Sequence, residues 1–457
     1  MPNRRRAMQT LLATVLMAGL PGHLAAQEDA ELRLMRDAVF GGTGERKAAL
    51  ATITARGMPD LAAGLILGMR FTENGEAEVS PVLRAITGNS SARTWFDWML
   101  WQESHPEVVP HPSYAMLMRD LYLRIDPAFD VFLDPTLLER DKARIRIEEI
   151  VWGGVLKDGI PSLDNPALIG AADADYLKGD DLVFGVSVNG DARAYPLRIM
   201  GWHEMFNDVI GGVPLALAYC TLCGSGILFE THVAGRATPL VFGSSRFLYR
   251  SNTLMYDKGT NTLWNQFTGQ PVVGRLSGSG IALKQRPVVI TDWASWVRAN
   301  PQTRVLSLDT GFRRDYGSGV VYQEYFASPD LMFPAVSDQS VFRQKDYVFG
   351  IRLFGGAKAW PVDAFRRQAI INDAVAGVPV VLIGDASTRT VRAYERGDLT
   401  LRRAGERLVS DDGALWTETE EALTSGDGRR LPRVAGHIAF WFAWNGYVGA
   451  ESELYAE

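Results

Sequence analysis

The chain has 457 residues, is 47% hydrophobic and carries a formal net charge of −6 with acids and bases interspersed. This is the composition of an ordinary globular protein long enough for two or three domains. The absence of a concentrated basic face speaks against a nucleic-acid partner. The absence of a later apolar run of about 18 residues speaks against a membrane span in the mature chain.

Arg4-Arg5-Arg6 precede an apolar run from Met8 to Leu20, followed by His23-Leu24-Ala25-Ala26-Gln27. A basic start, an apolar middle and a small-residue cleavage site after Ala26 predict a signal peptide over 1–26 and a periplasmic or secreted protein. Arg5-Arg6 leave twin-arginine export open beside the general route. Residues 27–128 carry apolar residues at three- and four-residue spacing in six stretches, Ala30–Val39, Glu45–Arg56, Pro59–Phe71, Val79–Ile86, Ser91–Glu103 and Tyr114–Ile125. This predicts a stack of helical hairpins, suited to packing or to contact with a protein partner.

From about residue 130 short apolar strands alternate with Gly, Pro and Asp turns. Strands are predicted at Leu182–Val188, Val213–Tyr219, Ile227–Thr231, Pro239–Phe242, Tyr347–Phe354, Val378–Ile383 and Thr390–Tyr394, with short helices at Ile199–Val209 and Val362–Ala374. Residues 183–214 set against 348–379, an ungapped offset of 165, agree at twelve of thirty-two positions. That agreement predicts one folding unit carried twice, at 129–335 and 336–457. The expected fold is α+β: a helical-hairpin region, then two tandem, mainly antiparallel β-rich repeats. The shared positions are mostly Gly, Pro and apolar. The reactive ones differ: His203, Glu204, Cys220 and Cys223 face Gln368, Ala369, Asp385 and Thr388, so the second repeat lacks the Cys/His site.

Cys220 and Cys223 are the only cysteines. A Cys-x-x-Cys pair closes almost no loop and adds little as a crosslink. A C-x-x-C-G turn between strands forms a knuckle with two thiolates to one side, Gly224 supplying the positive φ. His203 is the best third ligand, and Met255 a soft or Asp257 a hard fourth. Such a set suits copper or zinc. Glu204 is a candidate ligand, orienting carboxylate or general base. A redox-active dithiol and an inert disulfide remain the competing readings of the pair. Met255 also reads as core and Asp257 as a turn residue, while His105, His111, His232 and His437 read as structural.

Other polar positions are candidates to line a pocket: Lys157 and Asp158 in a Gly-rich loop, Asp257, Trp264, Asp309 in the triplet Asp309-Thr310-Gly311, and Tyr316 with Tyr322 and Tyr325 in the loop that follows. That triplet has the residues of an aspartic-protease turn but no second such turn follows. The Gly-rich loop lacks the strand–loop–helix context of a phosphate cradle.

The ordered string Trp152-Gly153-Gly154, Lys157-Asp158-Gly159-Ile160-Pro161, Tyr195-Pro196-Leu197-Arg198, Trp202-His203-Glu204, Asn207-Asp208, Tyr219-Cys220-Thr221-Leu222-Cys223-Gly224-Ser225-Gly226, Met255-Tyr256-Asp257, Leu263-Trp264 and Asp309-Thr310-Gly311 resembles the domain of unknown function 3179 family over roughly 145–370. That family usually has Pro between its cysteines where this chain has Thr221. The resemblance implies an exported, β-rich protein and supplies no reaction. The residues themselves favour a Cys2His metal site (copper or zinc) acting in redox chemistry or metal handling. The alternatives are a thiol–disulfide protein, with Cys220 attacking and Cys223 resolving, and a non-catalytic binding module. The substrate is not legible. A thioredoxin-like βαβ context is absent.

Overall fold

The computed structural model describes residues 20–449 and 452–456, with backbone alone over 20–29. The leader-like stretch lies almost wholly outside the described residues. The chain forms two compact units, one ending at Val151 and one beginning at Trp152. No helix among the described residues is long and apolar enough to cross a membrane.

The first unit is helical, with helices Leu20–Phe40, Thr43–Arg56, Ala62–Met69, Gly75–Thr87, Trp95–Ser104 and Tyr114–Ile125. Local signals set their ends. Gly57 and Gly88 terminate two helices at φ 67° and 76°. Thr94 caps a third by accepting from the Asp97 amide. Ala62–Met69 is buried at every position. Its Gly64 and Gly68 admit the first helix closely: a Cβ there would lie 2.6 Å from Met35 Sδ and 2.5 Å from Val39 Cγ2.

The second unit is built mainly of antiparallel sheets. One sheet runs in the order Val289–Asp292, Leu182–Val188, Asp191–Pro196, Arg304–Leu306, with the last pair parallel. Another runs His437–Phe440, Tyr347–Leu353, Gly356–Pro361, Ser452–Leu454, again with the last pair parallel. The outer strand of each leads into a helix, Trp293–Ala299 or Trp441–Val448. A side chain at Gly185 would collide with the Trp296 ring, and one at Gly350 with the Trp444 ring. Only Gly lets those helices seat.

The central hairpin of each sheet is followed by a three-stranded meander: Met205–Ile210, Val213–Cys220, Ser225–Glu230, and Ile370–Val375, Val378–Asp385, Thr390–Glu395. The tight turns Gly211-Gly212 and Ala376-Gly377 hold positive φ at both positions, matching the twist of a two-residue hairpin. Asn207 exchanges two 2.8 Å hydrogen bonds with the Phe242 backbone. Asn372 does the same with Leu401, at 2.8 and 2.9 Å. Asp208 accepts from Tyr195 and Arg193, and Asp373 from Trp360 and Lys358. The recurring Asn-Asp thus ties each meander to neighbouring backbone and sheet. One apolar core takes residues from both halves, including Phe184, Tyr195, Phe206 and Leu217 with Phe349, Trp360, Ile371 and Leu382.

Two of the expected helices are corrected. The first ends at His203, Glu204 turns at φ 55°, and Met205–Ile210 is strand. The other is a short 3-10 turn, Val362–Arg366, before the strand Ile370–Val375. Six-residue hairpin registers outweigh the helical spacing here. The strand expected at Pro239–Phe242 instead begins at Phe242 and runs to Tyr249.

Candidate functional site

Cys220 ends a central strand and pairs with Ser225 across the turn. Thr221–Cys223 make one 3-10 turn, closed by the Gly224 amide on the Thr221 carbonyl at 3.3 Å, with Gly224 at φ 59°. This turn brings the two Sγ atoms to 3.0 Å, and Cys223 also donates to the Ser251 carbonyl at 3.4 Å. Exposure is 2% at Cys220 and 0% at Cys223. Burial pushes the Cys223 thiol well above its ordinary range, helped by Cys220 and the Glu204 charge.

Glu204 lies beside the turn. Its carbonyl accepts from the Tyr219 amide at 2.7 Å. Its carboxylate meets Arg246 Nη1 at 2.8 Å, with longer contacts to Thr221 Oγ1 at 3.4 Å and Ser244 Oγ at 3.5 Å. Both members of this ion pair are buried.

A hairpin supplies the opposite wall: Phe242–Tyr249 and Asn252–Asp257, joined by Arg250-Ser251. Arg250 and Ser251 hold φ 48° and 61°, and Arg246 holds 72°. Left-handed backbone at non-glycine residues costs of order 1 kcal/mol or more each and gathers where a site is held in shape. Four buried side-chain atoms on this wall have no hydrogen-bond partner among the described residues: Arg246 Nε, Ser251 Oγ, and Asn252 Oδ1 and Nδ2. Tyr325 closes another side, donating to the Leu222 carbonyl at 2.7 Å. Tyr322, with its phenol pushed up to about 12 by burial and the Glu204 charge, lies nearby.

His203 stands apart from the thiols. Its Nδ1 donates to the Pro161 carbonyl at 2.8 Å, which leaves Nε2 to accept from Tyr316 at 2.6 Å. Tyr316 also bonds Thr310 at 2.6 Å. Burial and the Arg314 charge hold the imidazole below its usual pKa. Both nitrogens are therefore engaged in fastening loops, and neither carries a lone pair toward Cys220. Asp309, beside Thr310, belongs to this fastened loop. Met255 is buried in the ladder between Ser244 and Trp264.

Among the described residues no group of three or more His, Cys, Asp and Glu is placed to hold a metal. Two sulfurs on one tetrahedral zinc stand about 3.8 Å apart, given Zn–S of about 2.3 Å. The 3.0 Å separation is well short of this. The expected ligand set of His203, Cys220, Cys223 and Met255 does not fit copper or zinc in this arrangement.

Lys157 and Asp158 pair with each other and with the Tyr256 hydroxyl, at 3.1 Å from Lys157 and 2.8 Å from Asp158. Asp257 is fully buried, taking Trp264 Nε1 at 3.0 Å and Thr260 Oγ1 at 2.6 Å. Asp257 and Trp264 brace a turn rather than front an opening. Sequence reasoning missed Arg246 and Asn252. The signal available was a run of polar residues, Ser244-Ser245-Arg246 and Arg250–Thr253, in otherwise apolar strands.

A family model described as protein of unknown function (DUF3179) matches residues 157–451. The chain belongs to this family. The DUF3179 region takes in the Cys-x-x-Cys turn, Glu204, Arg246 and both sheet-and-meander arrangements except the edge strand Ser452–Leu454. No curated protein and no solved structure matches the chain.

Proposed function

We propose that this DUF3179 protein is a thiol–disulfide redox protein acting outside the cytoplasm, with Cys220 and Cys223 as its couple. The observation that carries the proposal is the 3.0 Å Sγ–Sγ separation. It needs to shorten by about 1 Å to reach a disulfide, and would have to lengthen by a similar amount to chelate a metal. The leader-like Arg4–Leu20 stretch supports the location.

The chemistry balances with a small-molecule disulfide as oxidant. The Cys220 thiolate attacks one sulfur and releases one small thiol. Cys223 then attacks the mixed disulfide at Cys220 and releases the second. The protein dithiol ends as a disulfide, and the small disulfide as two thiols. Near-complete burial restricts the co-reactant to a small molecule. The raised Cys223 thiol stays protonated and waits, which gives it the resolving role. Glu204, fixed by Arg246, positions the turn through Thr221.

We also infer that the scaffold is duplicated and that only the first copy is reactive. The twelve shared identities and the matching strand orders support this, as does the presence of Asp385 and Thr388 where the first copy has cysteines.

The test equilibrates the full protein in thiol–disulfide buffers of graded potential, alkylates it and weighs it. One two-electron transition is expected, abolished by Cys220→Ser or Cys223→Ser. Failure to form the bond at any potential, or thiols blocked by one equivalent of bound metal in protein as purified, overturns the proposal.

A further inference from the structure

A cleft of about 540 Å³ opens in the second half, at the mouth of the turn between the strands Val378–Asp385 and Thr390–Glu395. The volume falls within the roughly 300–1,000 Å³ of small-molecule sites. Its charged lining is unbalanced: Arg343, Lys345, Arg366, Arg367 and Arg389 against Asp346 and Asp363. Arg343 pairs with Asp346, and Arg366 with Asp363.

Lys345 and Arg389 are held differently. The Lys345 ammonium donates to the carbonyls of Tyr325 at 2.5 Å and Ser328 at 2.8 Å, and lies 3.4 Å from the Tyr325 ring centroid. Two of its three donors are so used. The Arg389 guanidinium donates to the Tyr347 hydroxyl at 2.6 Å and lies over that ring at 4.8 Å. Neither has an ion-pair partner among the described residues. Uncharged groups thus make the direct contacts of both cations, and among the described residues most of the N–H donors of Arg389 have no partner.

The position in the fold is informative. At the offset of 165, Ala386 and Arg389 of this cleft correspond to Thr221 and Gly224 of the Cys-x-x-Cys turn. The turn that carries thiols in the first half carries Asp385 and Thr388 in the second, with Arg389 following where the first has Gly224.

We propose that this cleft is a binding site for a small anion, carrying a phosphate or carboxylate group, with Lys345 and Arg389 as its principal contacts. A planar guanidinium and an ammonium lining one cleft suit an oxyanion, which offers each of them charge-assisted acceptors. The proposal does not rest on the thiol chemistry, although Lys345 also holds Tyr325, which walls the thiol turn.

The experiment is calorimetric titration of the full protein at low salt with inorganic phosphate and, separately, with succinate. At least one is expected to bind, more weakly as salt rises. The anion that binds tells phosphate-bearing from carboxylate-bearing ligands, and binding of both defines a general oxyanion site. Arg389→Gln and Lys345→Gln are each expected to weaken binding about tenfold or more, since hydrogen bonds to charged groups are the strong ones. Arg429→Gln, outside the cleft, leaves it unchanged. If Lys345→Gln unfolds, Arg389→Gln decides alone. Binding of neither anion, or binding that survives loss of the Arg389 charge, overturns the proposal.

Discussion

Replacing Arg246 by Met keeps most of the aliphatic stem and removes the charge. Glu204 then remains buried with contacts of 3.4 Å to Thr221 and 3.5 Å to Ser244, too long to compensate a carboxylate. Removing one partner of a buried pair costs about 3–5 kcal/mol, whereas replacing both by apolar residues of similar volume is often close to neutral. Arg246→Met is therefore expected to lose about 3 kcal/mol or more. Arg246→Met with Glu204→Leu should recover most of that loss. Denaturant unfolding followed by tryptophan fluorescence measures it through the midpoint of the β-rich unit's transition. Alkylation of Cys220 in native buffer gives a second readout, since a turn whose neighbouring carboxylate is no longer fixed by Arg246 should open more often and react faster. A loss under about 1 kcal/mol, or a double variant no more stable than the single one, would show that Arg246 does not compensate a buried Glu204 charge.

Gly185→Ala places a methyl group inside the Trp296 ring and should destabilise by about 1–3 kcal/mol, as overpacking does; a melting temperature equal to that of the parent protein would show that the helix Trp293–Ala299 yields freely. Burial, with Arg352 adding to it, lowers the pKa of His437 to about 3. The folded pKa lies below the unfolded value of about 6.5, so the unfolded chain binds the proton first and stability is lost as pH falls through that window. The expected contribution is up to about 1.4 kcal/mol per pH unit below about pH 6.5, and His437→Gln should flatten that part of the stability–pH curve; an unchanged slope between pH 6.5 and 5 sinks the assignment.

Sequence periodicity located the helices of the first unit and a minority of the strands of the second, those whose apolar spacing reports directly on a buried face. It failed at Ile199–Val209, where a helical spacing of apolar residues coexists with a Gly-Gly turn that closes a hairpin, and the hairpin prevails. Within the site, Cys220, Cys223 and Glu204 were legible because their chemistry contrasts with the matching positions 165 residues on. His203 misled for the same reason: contrast marks a residue as special without saying which way its ring points. Arg246 and Asn252 come from a hairpin some 25 to 30 residues beyond the cysteines. Nothing in local spacing announces that this hairpin folds back over the turn.

The apolar interior that Phe184 and Leu217 share with Phe349 and Leu382 binds the halves to a common fate. Cutting the chain between them would bare oily faces on both fragments, so a half bearing no thiols cannot be shed as surplus. Substitutions tolerated in its interior are limited by what the thiol-bearing half needs in order to stand.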